Sequence, residues 1–425
     1  MVNLKRYFSN PAELDKVQSK NFTNVQIDAI GVGLANAAAP FLPVFLTRLG
    51  ASSYEIGLLT SMPALAGLIL AIPMGQFLQN QKKIIPWFSL ARLGVIMSYA
   101  LTGALAFLLQ GQPLITGILV VWALATIPQT LLNISFSVVM NAVAGPNLRY
   151  ELMTRRWSIL GVTTAVAVFV IGQFLDRIAF PTNFQVIFIF LSVGGLISYY
   201  FSSHIQLPDF QKPSQIGKKP FQQTIGEYLT LISREKPFQS FVIKRFVFLS
   251  GAALTLPLFP LYFVREVQAS NSWIATINTA QTAIVIVGYF FWTQQSRRRG
   301  SRNVLLWTTF GAAIYPILVA STHNVVLITL FAGINGIFQA GLNLVFFDEL
   351  MKTVPTEYSA TFVSIAQGLQ YVSSILSPLI GTAIADLAGI GVALIVGGAL
   401  QLIGFLMFWR NRQLTFIHAQ PPQAI

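Results

Sequence analysis

Residues 40–48 read Pro-Phe-Leu-Pro-Val-Phe-Leu-Thr-Arg, and residues 257–265 read Pro-Leu-Phe-Pro-Leu-Tyr-Phe-Val-Arg. Both keep proline at the first and fourth positions and arginine at the last, at a constant offset of 217 residues. A second match follows: Ile127, Gln129, Leu132, Asn133 and Phe136 return as Ile337, Gln339, Leu342, Asn343 and Phe346, at an offset of 210. Two matches in the same order at similar offsets indicate an internal duplication.

What is duplicated follows from the composition. Of 425 residues, 54% are apolar and 10% are charged, against roughly 25% charged in an ordinary soluble domain. Soluble globular and disordered classes are excluded, and with no cysteine there is no disulfide framework or thiolate metal site. Asp, Glu, Lys and Arg are absent from 29–47, 56–81, 93–148, 157–175, 178–208, 246–264, 267–296, 303–347, 358–385 and 387–409. A helix crossing the membrane needs about 20 apolar residues, so 93–148 and 303–347 each hold two. Their breaks fall at Gln110-Gly111-Gln112-Pro113 and Ser321-Thr322-His323-Asn324.

The expectation is an all-α membrane protein of twelve spans. An N-terminal six-helix half (1–207) and a C-terminal half with a short tail (238–425) flank a polar linker, 208–237. Within the linker Phe221, Ile225, Leu229 and Ile232 have the spacing of an amphipathic surface helix. Another short surface helix is expected to start at Asn10-Pro11-Ala12-Glu13, and the first twenty residues lack the apolar core of a cleavable signal peptide. A parallel repeat of six helices places a pseudo-two-fold axis along the membrane normal.

The net charge of +13 is a topology signal. With both termini cytoplasmic, all Lys and Arg except Arg48, Arg177 and Arg265 fall on the inner side, the arrangement of a multi-pass protein of the plasma (inner) membrane. Nucleic acid is not needed to explain the charge; anionic lipid headgroups are the expected partners of the basic face.

Twelve spans as six plus six with a basic central loop resemble the major facilitator superfamily of secondary transporters. The superfamily loop between spans 2 and 3 survives as a trace: Gly75 and Lys83 match, but Gln79 and Lys82 replace its aspartate and second glycine. The second copy has Thr293 and Arg297 at the first glycine and the aspartate and keeps Gly300. Pro146-Asn147-Leu148-Arg149 and Pro355-Thr356-Glu357 are similar to the loops following spans 4 and 10, whereas span 5 lacks an antiporter-type Gly-Pro signature. The resemblance implies a monomer that moves a small polar or amphipathic solute by alternating access. Uniport, exchange and proton coupling remain open. A non-transporting scaffold or assembly factor of the same fold, and a lipid flippase, are the alternatives.

Ionisable groups inside a membrane are costly and therefore candidates for function. Asp28 sits a turn inside the inner end of span 1 and maps onto Arg245 in span 7 at the repeat offset. An Asp28–Arg245 pair closing the inner side is one expectation; snorkelling of both groups to the headgroups is the other. Arg92, about two turns into span 3, is expected to hold an anionic group, pair with an acid, or order the loop beside it. Asp348 and Glu349, at the inner end of span 10, are expected to bridge to Lys82, Lys83 or Arg149. Gln129 and Asn133 share one face of span 4, and Gln339 and Asn343 repeat it in span 10. With Asn36, Asn278 and Gln281 they form the candidate substrate set, with interhelical hydrogen bonding as the bland alternative. Pro40, Pro43, Pro257 and Pro260 interrupt spans 1 and 7, and Gly194-Gly195 and Gly397-Gly398 read as close packing. No Walker loop, metal cluster or nucleophile elbow is present in the sequence, so no enzyme activity, cofactor or metal is expected.

Overall fold

The computed structural model describes residues 16–207, 235–353 and 359–410. Every described element is helical, and twelve helical segments are long and apolar enough to cross a membrane. They are span 1 Lys16–Arg48, span 2 Ser53–Ala71, span 3 Ile85–Leu108, span 4 Gly111–Ala144, span 5 Leu152–Leu175 and span 6 Thr182–Ser203. Then follow span 7 Lys236–Glu266, span 8 Asn271–Arg299, span 9 Ser301–Ala320, span 10 Val325–Thr353, span 11 Ile365–Ala388 and span 12 Ile390–Arg410. The helix start expected at Asn10-Pro11-Ala12-Glu13 and the linker helix at Phe221–Ile232 lie outside the described residues.

Local chemistry sets the ends. Ser52 and Glu55 form a reciprocal capping box at the start of span 2, and Ser270 caps span 8 at the repeat-related place. Span 1 breaks after Asn36 and resumes at Phe41, beyond Pro40. Span 7 stops at Thr255, makes a short helix Leu258–Leu261 beyond Pro257, and continues as a π-helical turn, Tyr262–Glu266. Proline donates no backbone hydrogen bond, so the same sequence motif bends both spans in their outer thirds. Helical backbone continues without interruption from span 4 into span 5. The two ends of that stretch are tied to the starts of spans 2 and 8, Gln112 donating to Glu55 and Asp176 accepting from Asn271.

Glycines bring the helices of each half together. A Cβ on Gly31 of span 1 would lie 2.5 Å from the Gly194 carbonyl oxygen of span 6, and one on Gly251 of span 7 would lie 2.6 Å from that of Gly397 in span 12. The outward surface is apolar, with Leu108, Phe190, Phe290 and Phe347 among many exposed side chains, as a bilayer requires.

The halves are packed as a V. One apolar core draws on both: Phe41, Phe45 and Ile56 with Leu258, Tyr262 and Ala393. It lies at the face where the loops after spans 1 and 7 fall, called here the far face. Toward the opposite, basic face the core divides in two, one cluster entirely from residues 22–205 and the other from 238–408. The two seams between halves loosen in the same direction. A Cβ on Gly172 of span 5 would sit 2.1 Å from the Ala275 Cβ of span 8, but one on Gly161 would stop 3.5 Å from Ile286. Between spans 2 and 11, Gly57 and Gly67 abut Thr382 and Tyr371, whereas Gly75 has nothing within 4 Å.

Gly31→Val and Gly251→Val press a branched side chain against backbone, and each is expected to lower stability by about 1–3 kcal/mol or more. Gly75→Val meets open space and is expected to be near neutral. Thermal unfolding of the three variants in detergent checks the ranking.

Candidate functional site

A cavity of about 640 Å³ opens between the halves at mid-membrane. Its polar wall comes from the C-terminal half: Asn278 and Gln281 of span 8, Asn335, Gln339 and Asn343 of span 10, and Gln401 of span 12. Tyr99, Trp122, Phe259, Phe263, Tyr315 and Phe346 supply aromatic faces. No Asp, Glu, Lys or Arg is among the lining residues. The amide of Asn278 donates to the Ile274 carbonyl of its own helix at 2.8 Å, and that of Asn343 to the Tyr289 hydroxyl at 3.1 Å. Gln281, Gln339 and Gln401 have no side-chain partner among the described residues, and the buried Asn335 Oδ1 is unpaired. Amides with free valences toward a cavity of this size can hydrogen-bond a solute as donors and acceptors.

A smaller cavity, about 280 Å³, adjoins it and shares Thr60, Pro63 and Leu256 with it. It is lined by Gln129 and Asn133 of span 4 facing Gln367, Gln370, Tyr371 and Ser374 of span 11.

Both cavities lie below a roof tied across the halves. Arg48 Nη2 donates to the Ala269 carbonyl at 2.8 Å, and its repeat counterpart Arg265 donates to the Ala51 carbonyl and, at 3.1 Å, to Ser53 Oγ. The exchange is reciprocal: each half's arginine caps the other half's loop. The Asp176 carboxylate accepts from the backbone N–H groups of Asn271 and Ser272, both at 2.9 Å. Partial burial raises its pKa, but these bonds outweigh that and hold it below the usual carboxylate range. One further bond between the halves lies at mid-depth, Thr279 to the Ala165 carbonyl at 3.2 Å.

The family model for the Major Facilitator Superfamily matches residues 241–424. The matched residues all lie in the C-terminal half of the chain. Among similar solved structures, the nucleoside transporter NupG superposes with a TM-score of 0.66 at 12% identity, over 93% of this chain and 99% of that one. A bacterial homolog of the human lysosomal transporter Spinster, inward-facing and unoccupied, gives 0.69 at 13% identity, over 93% and 97%. The inward open xylose transporter XylE from E. coli gives 0.66 at 11% identity, over 93% and 95%. The multidrug resistance protein MdtG of Proteus mirabilis (strain HI4320) is 24% identical over 169 residues, which are 38% of this chain and 41% of that protein. This chain therefore spans well under half the length of that curated relative.

Within the superfamily fold, the amides expected from sequence divide between two compartments. Asn278, Gln281, Gln339 and Asn343 line the larger, while Gln129 and Asn133 line the smaller and bond to each other at 2.9 Å. Asn36 is exposed and lines neither, because its helix ends there. Asn335, Gln370 and Gln401 escaped notice in the sequence; Asn335 lies one turn before Gln339, whereas Gln401 is the one residue of span 12 in the cavity wall and has no such neighbour.

Of the charged residues, Arg92 pairs with an acid, one of its expected roles, and the others arrange differently from expectation. Asp28 does not pair with Arg245. It is fully buried and faces Arg92 Nε at 3.2 Å and Arg156 Nη2 at 3.5 Å, while Ser198 donates its hydroxyl to Oδ1 at 2.6 Å. Arg92 is 4% and Arg156 3% exposed, and they stack on Phe88 and Phe136. The reason is the repeat itself. Residues related by a pseudo-two-fold meet only close to the axis, and Asp28 is instead buried among spans 3, 5 and 6 of its own half. Arg245 makes the counterpart bond within its own half, donating to Gln370 Oε1 at 2.7 Å and stacking on Phe346 as Arg156 stacks on Phe136. Arg156, read from sequence as one more inner-face basic residue, is thus a buried partner. Asp348 and Glu349 also bind locally rather than across the basic face: both bridge to Lys352, at 2.8 and 2.9 Å, and Glu349 accepts from Ser301. Lys82 and Lys83 are exposed at the loop after span 2, and neither meets those carboxylates. The Arg149 side chain is outside the described residues.

Asp28→Asn leaves two buried guanidinium groups without an anion, and breaking such a buried pair costs about 3–5 kcal/mol. A second change, Arg156→Met, is expected to recover part of the loss, and exchanging charges between Asp28 and Arg245 to recover none. Melting temperatures of the single and double variants test this order.

Proposed function

We propose that this chain carries a small solute across the membrane by alternating access, and that the far-side-closed state is its inward-facing one. The observation that carries the reading is the cavity: solute-sized, lined by unpartnered amides and aromatic rings, roofed by cross-half bonds, and lying where the two seams loosen toward the basic face. By the distribution of Lys and Arg the basic face is cytoplasmic, so both termini lie inside and the opening is inward. Inward-facing superfamily structures among its structural neighbours fit this assignment.

The scaffold alternative calls for a centre filled with apolar side chains, and the amide wall argues against it. Proton coupling through Asp28 would strip Arg92 and Arg156 of their shared anion, so uniport or solute exchange suits this site better. Binding draws on the C-terminal half, while Arg48 and Arg265 hold the far gate and break when the halves rock.

In reconstituted vesicles, Gln281→Ala and Gln339→Ala are expected to reduce solute flux at least tenfold and to abolish the ligand-induced rise in melting temperature. Flux unchanged by both would remove the larger cavity as the site. The gate has its own test, helped by the absence of cysteine. A thiol placed by Asn278→Cys should react slowly with an impermeant reagent added at the far side. Arg48→Ala with Arg265→Ala removes charged hydrogen bonds worth about 1.5–3 kcal/mol each, and should speed that reaction tenfold or more.

A further inference from the structure

We propose that the solute carries an anionic group, a carboxylate or phosphate, and that Arg245 holds it; this rests on the transport reading above. Arg245 lies on the face of span 7 that bears Leu249, Ala252 and Leu256, four, seven and eleven residues on, all of which line the larger cavity. It is the next turn of that stripe toward the basic face. Its guanidinium is 5.8 Å from the ring of Phe346, a wall of the larger cavity, and bonds Gln370, a wall of the smaller one. An anion entering from the basic face therefore meets it where the two compartments adjoin.

Among the described residues Arg245 has no counter-ion. Its Nε is buried and unpartnered, and no carboxylate of the described residues lies within 4.0 Å. The nearby charges are of its own sign, Lys244 with Arg302 close to it. Lys352 occupies both acids of span 10. The N-terminal half shows what is missing. Arg156 has the same stacking partner and the same inter-span tie, but its tie is to the carboxylate of Asp28, where Arg245 has the neutral amide of Gln370. A guanidinium within the membrane, satisfied by one amide, gains most from an anion that can accept from its remaining N–H groups. The solute's body then extends into the cavity between Phe259, Tyr315 and the amides of span 10.

The test uses full-length protein, in detergent for thermal shifts and in vesicles for flux, with pairs differing in charge: benzoate and benzamide, glucose 6-phosphate and glucose, uridine monophosphate and uridine. At least one anion should raise the melting temperature and cross the membrane while its neutral partner does neither. Arg245→Gln should weaken that anion at least tenfold, and Arg245→Lys, which keeps the charge without the fork, should fall between. A neutral partner that binds and crosses as well as its anion would overturn the proposal and leave transport standing, as would an anion indifferent to both variants in protein shown folded by circular dichroism. Stabilisation by phosphatidylglycerol that depends on Arg245, with none by the soluble anions, would assign the group to a lipid headgroup and also overturn it. If no member of any pair bound or crossed, the transport reading would fail and this inference with it.

Discussion

A charge inside hydrocarbon must have a partner, and this constraint orders the molecule. Asp28 is completely buried, with two guanidinium groups and a serine hydroxyl around its oxygens. The net positive charge left over is spread over Phe88 and Phe136, whose ring faces attract cations. This network joins spans 1, 3, 5 and 6, so the first half moves as a packed unit. The second half achieves the same connection between spans 7 and 11 with an arginine and an amide. Because the fixed charges are tied up inside the halves or held at the two faces, the wall of the larger cavity between the halves is left to amides and aromatics. Such groups can be exposed to water in one state and buried in another at modest cost.

The same duplication that builds two similar units also builds the gate. Arg48 and Arg265 come from the motif that ends both copies of the kinked segment, and each reaches across to the other half's loop. Proline bends put those segments over the cavity as its roof, since Pro40, Pro43 and Pro260 all line it. On the far side the apolar core is shared by the halves; on the basic side each half keeps its own. A rocking motion can therefore open one face without unpacking either half.

Much of this was legible in the sequence. Span number and the two kinks follow from composition and prolines, which act locally. The repeat placed Gln339 and Asn343 on a cavity wall. Tertiary pairing was harder. Correspondence at the repeat offset suggested that Asp28 meets Arg245, whereas correspondence means equivalent position, and each residue found a partner within its own half. Arg156 was hidden by its neighbourhood: adjacent to Arg155 near the start of span 5, it looked like a topology signal. Its trace was there, since Gln370 stands 214 residues further on in span 11, a polar residue at the related place. The split of the amides into two compartments depends on how far the halves are rocked apart, which no local pattern encodes.

The central claim is that the two faces open in turn around one cavity, and a pair of distances tests it directly. Spin labels at Lys83 and Ser296 report the basic face, and labels at Gln110 and Ser321 the far face. Electron–electron resonance distances should show the first pair wide and the second narrow without solute, with a second population in which both relations invert when a transported solute is added. Distances that stay fixed at both faces while solute crosses the membrane would contradict the account.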